Sequence, residues 1–369
     1  MSESQIWIQL IAVIVAVACA LPGVFLVLRR MAMISDAISH SVLFGIVIGF
    51  LLLKVEIGNP ILIVTAAASG VLTVWLVELL IQTRRVRADA AIGLVFPALF
   101  SIGVVIISAQ FRNVHLDIDA VLLGEIAFAP LNRVELLGVR LPLGLLVMGT
   151  ILILNVALIA LFYKELKITT FDPGLAAALG IAPPLIQYGL MTMVSITVVG
   201  AFDHVGAVLV VALMVAPPAS AFMLTERLGR MLILSAASAA LSALGGYWLA
   251  RALDVNIAGA MATMTGLIFL AALVFAPRRG LIARRREAQT RRRRFAVEML
   301  IVHLTRHAGQ PDEHEESSEQ HLLSELRWSP SFAEAAIRRA QRQGLIERQH
   351  ERLMLTGDGW DLAHQVLNR

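Results

Sequence analysis

The chain has 369 residues, of which 58% are hydrophobic and 16% charged, with a formal net charge of +4 and a mean hydropathy of +0.77. Repeated long apolar runs at that composition exclude a soluble globular chain and imply a polytopic helical membrane protein. The one cysteine, Cys19, excludes an intrachain disulfide and a cysteine-based metal site within one chain.

Nine apolar runs recur, at about 6–28, 31–53, 60–82, 90–109, 139–161, 183–200, 205–224, 231–250 and 257–276. Each is near the roughly 20 residues that cross a bilayer core as a helix. The first lacks a basic leader and a small-residue cleavage site, so it is expected to be a retained helix. Basic residues follow every odd run: Arg29 and Arg30, Arg84 to Arg87, Lys164 and Lys167, Arg227 and Arg230, and the arginines from Arg278 onward. The positive-inside rule then puts the N-terminus outside and the C-terminus in the cytoplasm. The stretch LDIDAVLLGEIAFAP, 116–130, is too short to span and is expected as an interfacial or re-entrant helix. Pro217 and Pro218 are expected to kink or break the seventh run.

After Pro277 the composition changes. Residues 278–294 read as a basic juxtamembrane linker, and 295–369 as a soluble domain with a helix at about 295–307 and an acidic loop. A helix capped by Ser329 or Ser331, two short strands around a polar turn and a last helix follow. That order is the pattern of a winged helix-turn-helix. The expected architecture is an all-α polytopic membrane protein of eight or nine transmembrane helices, residues 1–277, with a small cytoplasmic winged-helix α+β domain.

The second run, MAMISDAISHSVLFGIVIGF, holds Asp36 and His40 four residues apart, hence on one helix face. Ionisable groups at such positions face a bundle interior or a water-filled path. Three readings fit the spacing: a hydrogen bond that fastens two helices, a proton relay, and a divalent-metal site, since carboxylate and imidazole suit first-row cations. Two ligands are too few for a closed site, and two copies facing each other would supply four. Asp203 and His204, at the outer edge of the seventh run, allow a second point where a cation enters, with a hydrated loop end as the alternative. No G-x-x-x-x-G-K-[ST] phosphate loop is present.

The string ISDAISHSVLFG resembles the second-helix motif GDAxSHxVLPG of the permease subunits of metal-ion (manganese, zinc, iron) ABC importers. Ser35 and Phe44 depart from it. FDPGLAAALGI, 171–181, resembles the family's FDPExAxALGI, VGAVLVVALMVAPPASAFML its VGxLLVxALLIxPAAxA segment, and LDIDAVLLGEIAFAP more weakly its DLxxYLFGxIL stretch. The match spans about 6–277. The resemblance implies Asp36 and His40 as metal ligands, and Phe171, Asp172, Pro173, Gly174, Leu179 and Gly180 as a segment that docks on a separate ABC ATPase. It also implies a second permease copy or a paralogous permease, an extracytoplasmic metal-binding protein, and the plasma membrane of a bacterium as location. The chain would be a transport subunit, not an enzyme, with no resident cofactor and with manganese, zinc or iron as cargo. The tail resembles the winged-helix domains of metal-dependent repressors through Gly344, Leu345, Ile346, Leu355, Thr356 and Gly359. That likeness ranks manganese first. Arg338, Arg339 and Arg342 on the recognition-type helix would suit DNA phosphates. Tethering ranks a protein contact or regulatory role above nucleic acid, and the arginine run 278–294 suits anionic membrane lipid. Two rivals predict different outcomes. A proton-coupled secondary transporter would work without the ATPase, and a membrane-tethered winged-helix regulator would bind specific DNA.

Overall fold

The computed structural model describes residues 3–53, 60–110, 126–136, 139–311, 317–318, 326–349 and 352–367. The chain forms two compact units, Met1–Gly280 and Leu281–Arg369.

The first unit is helical. Its elements are α1 (Glu3–Leu28), α2 (Met33–Leu53), α3 (Pro60–Gln82), α4 (Ala88–Gln110), a hairpin of β1 (Arg133–Leu136) and β2 (Val139–Pro142), and α5 (Leu143–Leu161). Then come α6 (Tyr163–Phe171), α7 (Pro173–Ala178), α8 (Pro183–Leu224), α9 (Leu228–Leu253) and α10 (Ile257–Phe275). Among the described residues, nine segments are long and apolar enough to cross a membrane, two of them within α8. They coincide with the nine apolar runs to within a few residues.

Helix α1 is the hub. Every residue from Ala18 to Leu26 is buried, Cys19 among them, and the helix packs against α5, α8 and α9. A helix apolar on all sides belongs in the middle of a bundle. Helix α2 lies against α3, α4 and α8. Polar side chains inside the bundle bond to backbone carbonyls. Ser195 Oγ donates to Ala67 at 2.9 Å, and Ser235 Oγ to Ala20 at 3.3 Å. Such bonds, with small residues at the contact, hold helices together where no hydrophobic force acts between them.

The long α8 breaks at Gly206, whose φ of 72° and ψ of 167° leave the helical region. Pro217 and Pro218, expected to kink or break the seventh run, lie inside the helix and do not break it; the break at Gly206 falls beside the junction of the sixth and seventh runs. A proline costs a hydrogen bond and crowds a carbonyl one turn back, while glycine alone tolerates the backbone found at 206.

Chain ends expected on one side of the membrane meet in pairs. Arg29, after α1, bonds to Thr170 of α6, and Arg279, after α10, to the Phe222 carbonyl at the end of α8. On the other side, Glu3 pairs with Arg133 at 3.3 Å. These contacts join segment ends that the charge pattern assigns to the same side. The β1–β2 hairpin was not foreseen: the fifth run was expected to begin at 139, and α5 begins at Leu143. The expected helix at 116–130 lies mostly outside the described residues, and 126–130 form a turn.

The second unit has its own core. Helix α11 (Leu281–His307), α12 (Pro330–Arg342), strands β3 (Ile346–Gln349) and β4 (Arg352–Leu355) and α13 (Gly357–Leu367) follow in order. Val297, Leu300, Ile301, Ile337, Ile346, Leu353 and Ala363 pack together. The strands pair antiparallel, with Ile346 opposite Leu355, and Ser318 bridges to Arg352. The arginine-rich stretch expected as a linker is helical from Leu281, continuous with the helix expected from 295. Glu287–Arg291 and Arg294–Glu298 pairs, each one turn apart, brace it.

Candidate functional site

Helix α2 has two unlike faces. On one, Ser41, Gly45 and Gly49 recur every fourth residue, and α3 comes close. A Cβ on Gly45 would fall 2.6 Å from the Thr65 carbonyl oxygen, and one on Gly49 2.3 Å from Thr65 Oγ1. Across this seam Ser69 Oγ donates to the Ser41 carbonyl at 2.9 Å. The seam fixes the rotation of α2 and thereby where its other face points.

Asp36 and His40 lie away from that seam. His40 Nε2 is 3.5 Å from Asp36 Oδ1, and the two side chains are 36% and 33% exposed respectively. A charge-assisted hydrogen bond is about 2.7–2.9 Å, so the pair is aligned without being locked. Aromatic rings of α4 hold the imidazole. Phe96 stacks on it with centroids 5.5 Å apart and planes at 25°, and Phe100 meets it edge-on at 6.0 Å. The four-residue spacing in FPALF supplies both rings, a signal present in the sequence and not used above. The result is a carboxylate and an imidazole on one face, positioned from the ring side and open on the other. This donor set suits first-row divalent cations. Among the described residues, no group of three or more His, Cys, Asp or Glu side chains comes close enough to hold an ion. Two such donors are half of what a four-coordinate shell takes.

The 171–181 segment folds as its residues dictate. Asp172 caps α7, its Oδ1 accepting from Leu175 N–H at 2.9 Å, and Pro173 takes the first helical position. Gly180, at φ 79°, ends the helix. Its N–H donates to the Ala177 carbonyl and the Ile181 N–H to that of Ala176, both at 3.0 Å. That double closure is a Schellman stop. Phe171, Leu175 and Leu179 are 59%, 50% and 61% exposed, apolar groups before, on and at the end of a short helix whose two ends are fixed. Gly174, on the same turn, adds no bulk.

Asp203 and His204 are not brought near Asp36 and His40. Both lie in helical backbone just before the break at Gly206, not in a loop. The His204 ring covers Gly144, where a Cβ would sit 3.1 Å from its Cε1; the Asp203 side chain lies outside the described residues. His115, Asp117, Asp119 and Glu125 are also outside them.

Residues 1–276 match the ABC 3 transport family. The chain belongs to that family. It is a multi-pass membrane permease subunit, not an enzyme. It is 48% identical over 361 residues to the zinc transport system membrane protein TroD of Treponema pallidum, covering 98% of both chains. It is 50% identical over 282 residues to the manganese transport system membrane protein MntD of Bacillus subtilis, covering 76% of this chain and 95% of that one. The solved structure of PsaBC from Streptococcus pneumoniae in complex with Fab shares the fold, with a TM-score of 0.63 at 24% identity over 76% of this chain and 94% of that one.

Proposed function

We propose that the chain is the membrane-spanning subunit of an ATP-driven importer for a divalent transition metal, manganese or zinc, with iron next. The observation that carries this reading is the Asp36–His40 pair: two metal-type donors one turn apart, a third exposed and loosely paired, on an otherwise apolar helix. The likeness to relatives named for zinc and for manganese supports the class of ion. A relative that spans the tail as well is named for zinc, so the tail is no argument for manganese over zinc.

In this reading a second permease copy, or a paralogue, faces the first and completes the shell with its own donors. An ABC ATPase docks on the segment containing Phe171, Asp172, Pro173, Gly174, Leu179 and Gly180, and an extracytoplasmic protein delivers the ion. Asp203 and His204, beside the break in α8, lie on the side where it would enter. The basic residues that follow α1, α3, α5, α8 and α10 support a cytoplasmic position for those ends and an N-terminus outside, in a bacterial plasma membrane. Residues 1–277 form the permease, 278–294 a basic stretch beside anionic lipid, and 295–369 a winged-helix domain.

Support for the winged helix is the order of α11, α12, the β3–β4 hairpin and α13, with Ser318 bridged to β4. Ser329 stands at the N-cap of α12 with Pro330 at its first position. Thr356 N–H donates to the Leu345 carbonyl at 3.2 Å and closes the base of the hairpin. Gly359 lies where a Cβ would be 2.2 Å from that same carbonyl oxygen. Arg338 is paired with Glu334 at 2.8 Å, which fits a protein-contact or regulatory role better than DNA binding.

The test is reconstitution. The permease with its ATPase in sealed vesicles should take up radiolabelled manganese or zinc only with ATP, and continue when the proton gradient is collapsed. Uptake without the ATPase that stops with the gradient would favour proton coupling instead.

A further inference from the structure

Arg29 served in the sequence only as a marker of the cytoplasmic side, yet the fold gives it more to do. It sits in the short turn between α1 and α2, seven residues before Asp36. Its Nε donates to Thr170 Oγ1 at 3.1 Å, its Nη2 to Thr169 Oγ1 at 3.0 Å, and its Nη1 to Gln187 Oε1. Gln187 Nε2 in turn contacts Met31 Sδ at 3.2 Å, one residue past Arg30 in the same turn. All three guanidinium nitrogens are thus committed to α6 and to the first turns of α8. Burial draws the guanidinium below the ordinary arginine value, and arginine stays charged at such a site. A half-buried cation held by three neutral oxygens, with no carboxylate paired to it among the described residues, is an expensive way to fasten a turn.

Two placements give that cost a purpose. Thr169 and Thr170 are the last residues before Phe171 and Asp172, so the clamp grips the base of the 171–181 segment. One turn earlier on α6, Glu165 has its Oε2 buried with no hydrogen-bond partner among the described residues. Thr169 Oγ1 also donates to the Glu165 carbonyl at 2.7 Å, so the carboxylate and the clamp lie on neighbouring turns of one helix. The unpartnered Glu165 Oε2 thus lies on the helix turn next to the Thr169 that holds Arg29, which gives the guanidinium a second acceptor on the same helix.

We propose that Arg29 is a positioning residue that carries movement of the 171–181 segment to α2, and so to Asp36 and His40, by exchanging its neutral oxygens for Glu165 as the segment moves. The proposal rests on the reading of 171–181 as the ATPase contact. Binding energy at the docking face would then be linked to the site through a discrete two-state element.

The experiment uses the full chain assembled with its ATPase in vesicles, reading ATP hydrolysis and radiolabelled manganese and zinc uptake together. Arg29→Gln should assemble and hydrolyse ATP, while metal taken up per ATP falls by roughly fivefold or more, the usual size of a coupling. Hydrolysis and uptake falling in the same proportion, or an unchanged ratio, would overturn the proposal. Should Arg29→Gln fail to reach the membrane, Thr170→Val keeps the arginine and two of its bonds. A lowered ratio there supports the proposal, and an unchanged one rejects it. Glu165→Gln should lower the ratio as well, and the double variant should be no worse than Arg29→Gln alone. Losses that multiply would reject the exchange of partners. Failure of the docking reading looks different: Leu175→Asp with Leu179→Asp would still co-purify with the ATPase whatever Arg29→Gln does.

Discussion

Asn155 in α5 and the Asp36–His40 pair in α2 are polar groups in equally apolar helices, and the fold treats them in opposite ways. Asn155 is 1% exposed. Its Nδ2 donates to the Ala18 carbonyl at 3.1 Å and to Thr197 Oγ1 at 2.9 Å, tying α5 to α1 and α8. Asp36 and His40 stay a third exposed, 3.5 Å from each other, with aromatic rings rather than hydrogen bonds supporting the imidazole. A group that only fastens helices is buried and its donors are used. A group kept for a ligand is oriented from behind and left open in front. The contrast sets the pair apart from a helix-fastening bond, one of the three readings that fit the four-residue spacing.

Four substitutions sharpen or break the contrast, beginning with the most damaging. Leu175→Asp with Leu179→Asp puts charge at two exposed apolar positions and should abolish co-purification with the ATPase, and uptake with it, leaving the fold of the permease unchanged by thermal unfolding. Gly45→Val forces α2 away from Thr65 and Ser69. It should cost about 1–3 kcal/mol of stability, as overpacking does, and lower uptake because both donors move with the helix; thermal melting in detergent reads the first effect. Phe96→Ala leaves Asp36 and His40 in place but frees the ring, so uptake should fall by about tenfold or more through loss of the shell around a ligand, with melting nearly unchanged. Asn155→Leu should do the reverse. It should lower stability by about 0.6 kcal/mol, the usual worth of such a bond in a membrane bundle, and leave uptake per folded molecule as it was.

The membrane fold was readable because bilayer thickness and charge bias are written in composition over runs of about twenty residues. Details set by single contacts were not. Pro217 and Pro218 are the conspicuous breakers in the sequence, yet they lie inside the helix, and the break falls at Gly206, beside the junction of the sixth and seventh runs where Asp203 and His204 interrupt the apolar pattern. The stretch from Leu281 looked like a linker because like charges repel. Glu287 and Glu298 are spaced to offset two of those arginines one turn away, and the helix runs through. Asp36 and His40 were legible from spacing, whereas Phe96 and Phe100 belong to another helix and meet His40 only in the folded bundle. Arg29 was hidden for the same reason: its partners are about 140–158 positions away along the chain.

The central claim, that Asp36 and His40 hold the ion on its way through, is tested most directly by metal uptake in cells carrying Asp36→Ala or His40→Ala. Radiolabelled manganese, zinc and iron should be compared at matched amounts of permease in the membrane. The account predicts that uptake is lost in both variants while the permease still assembles with its ATPase. Normal uptake in both would contradict it.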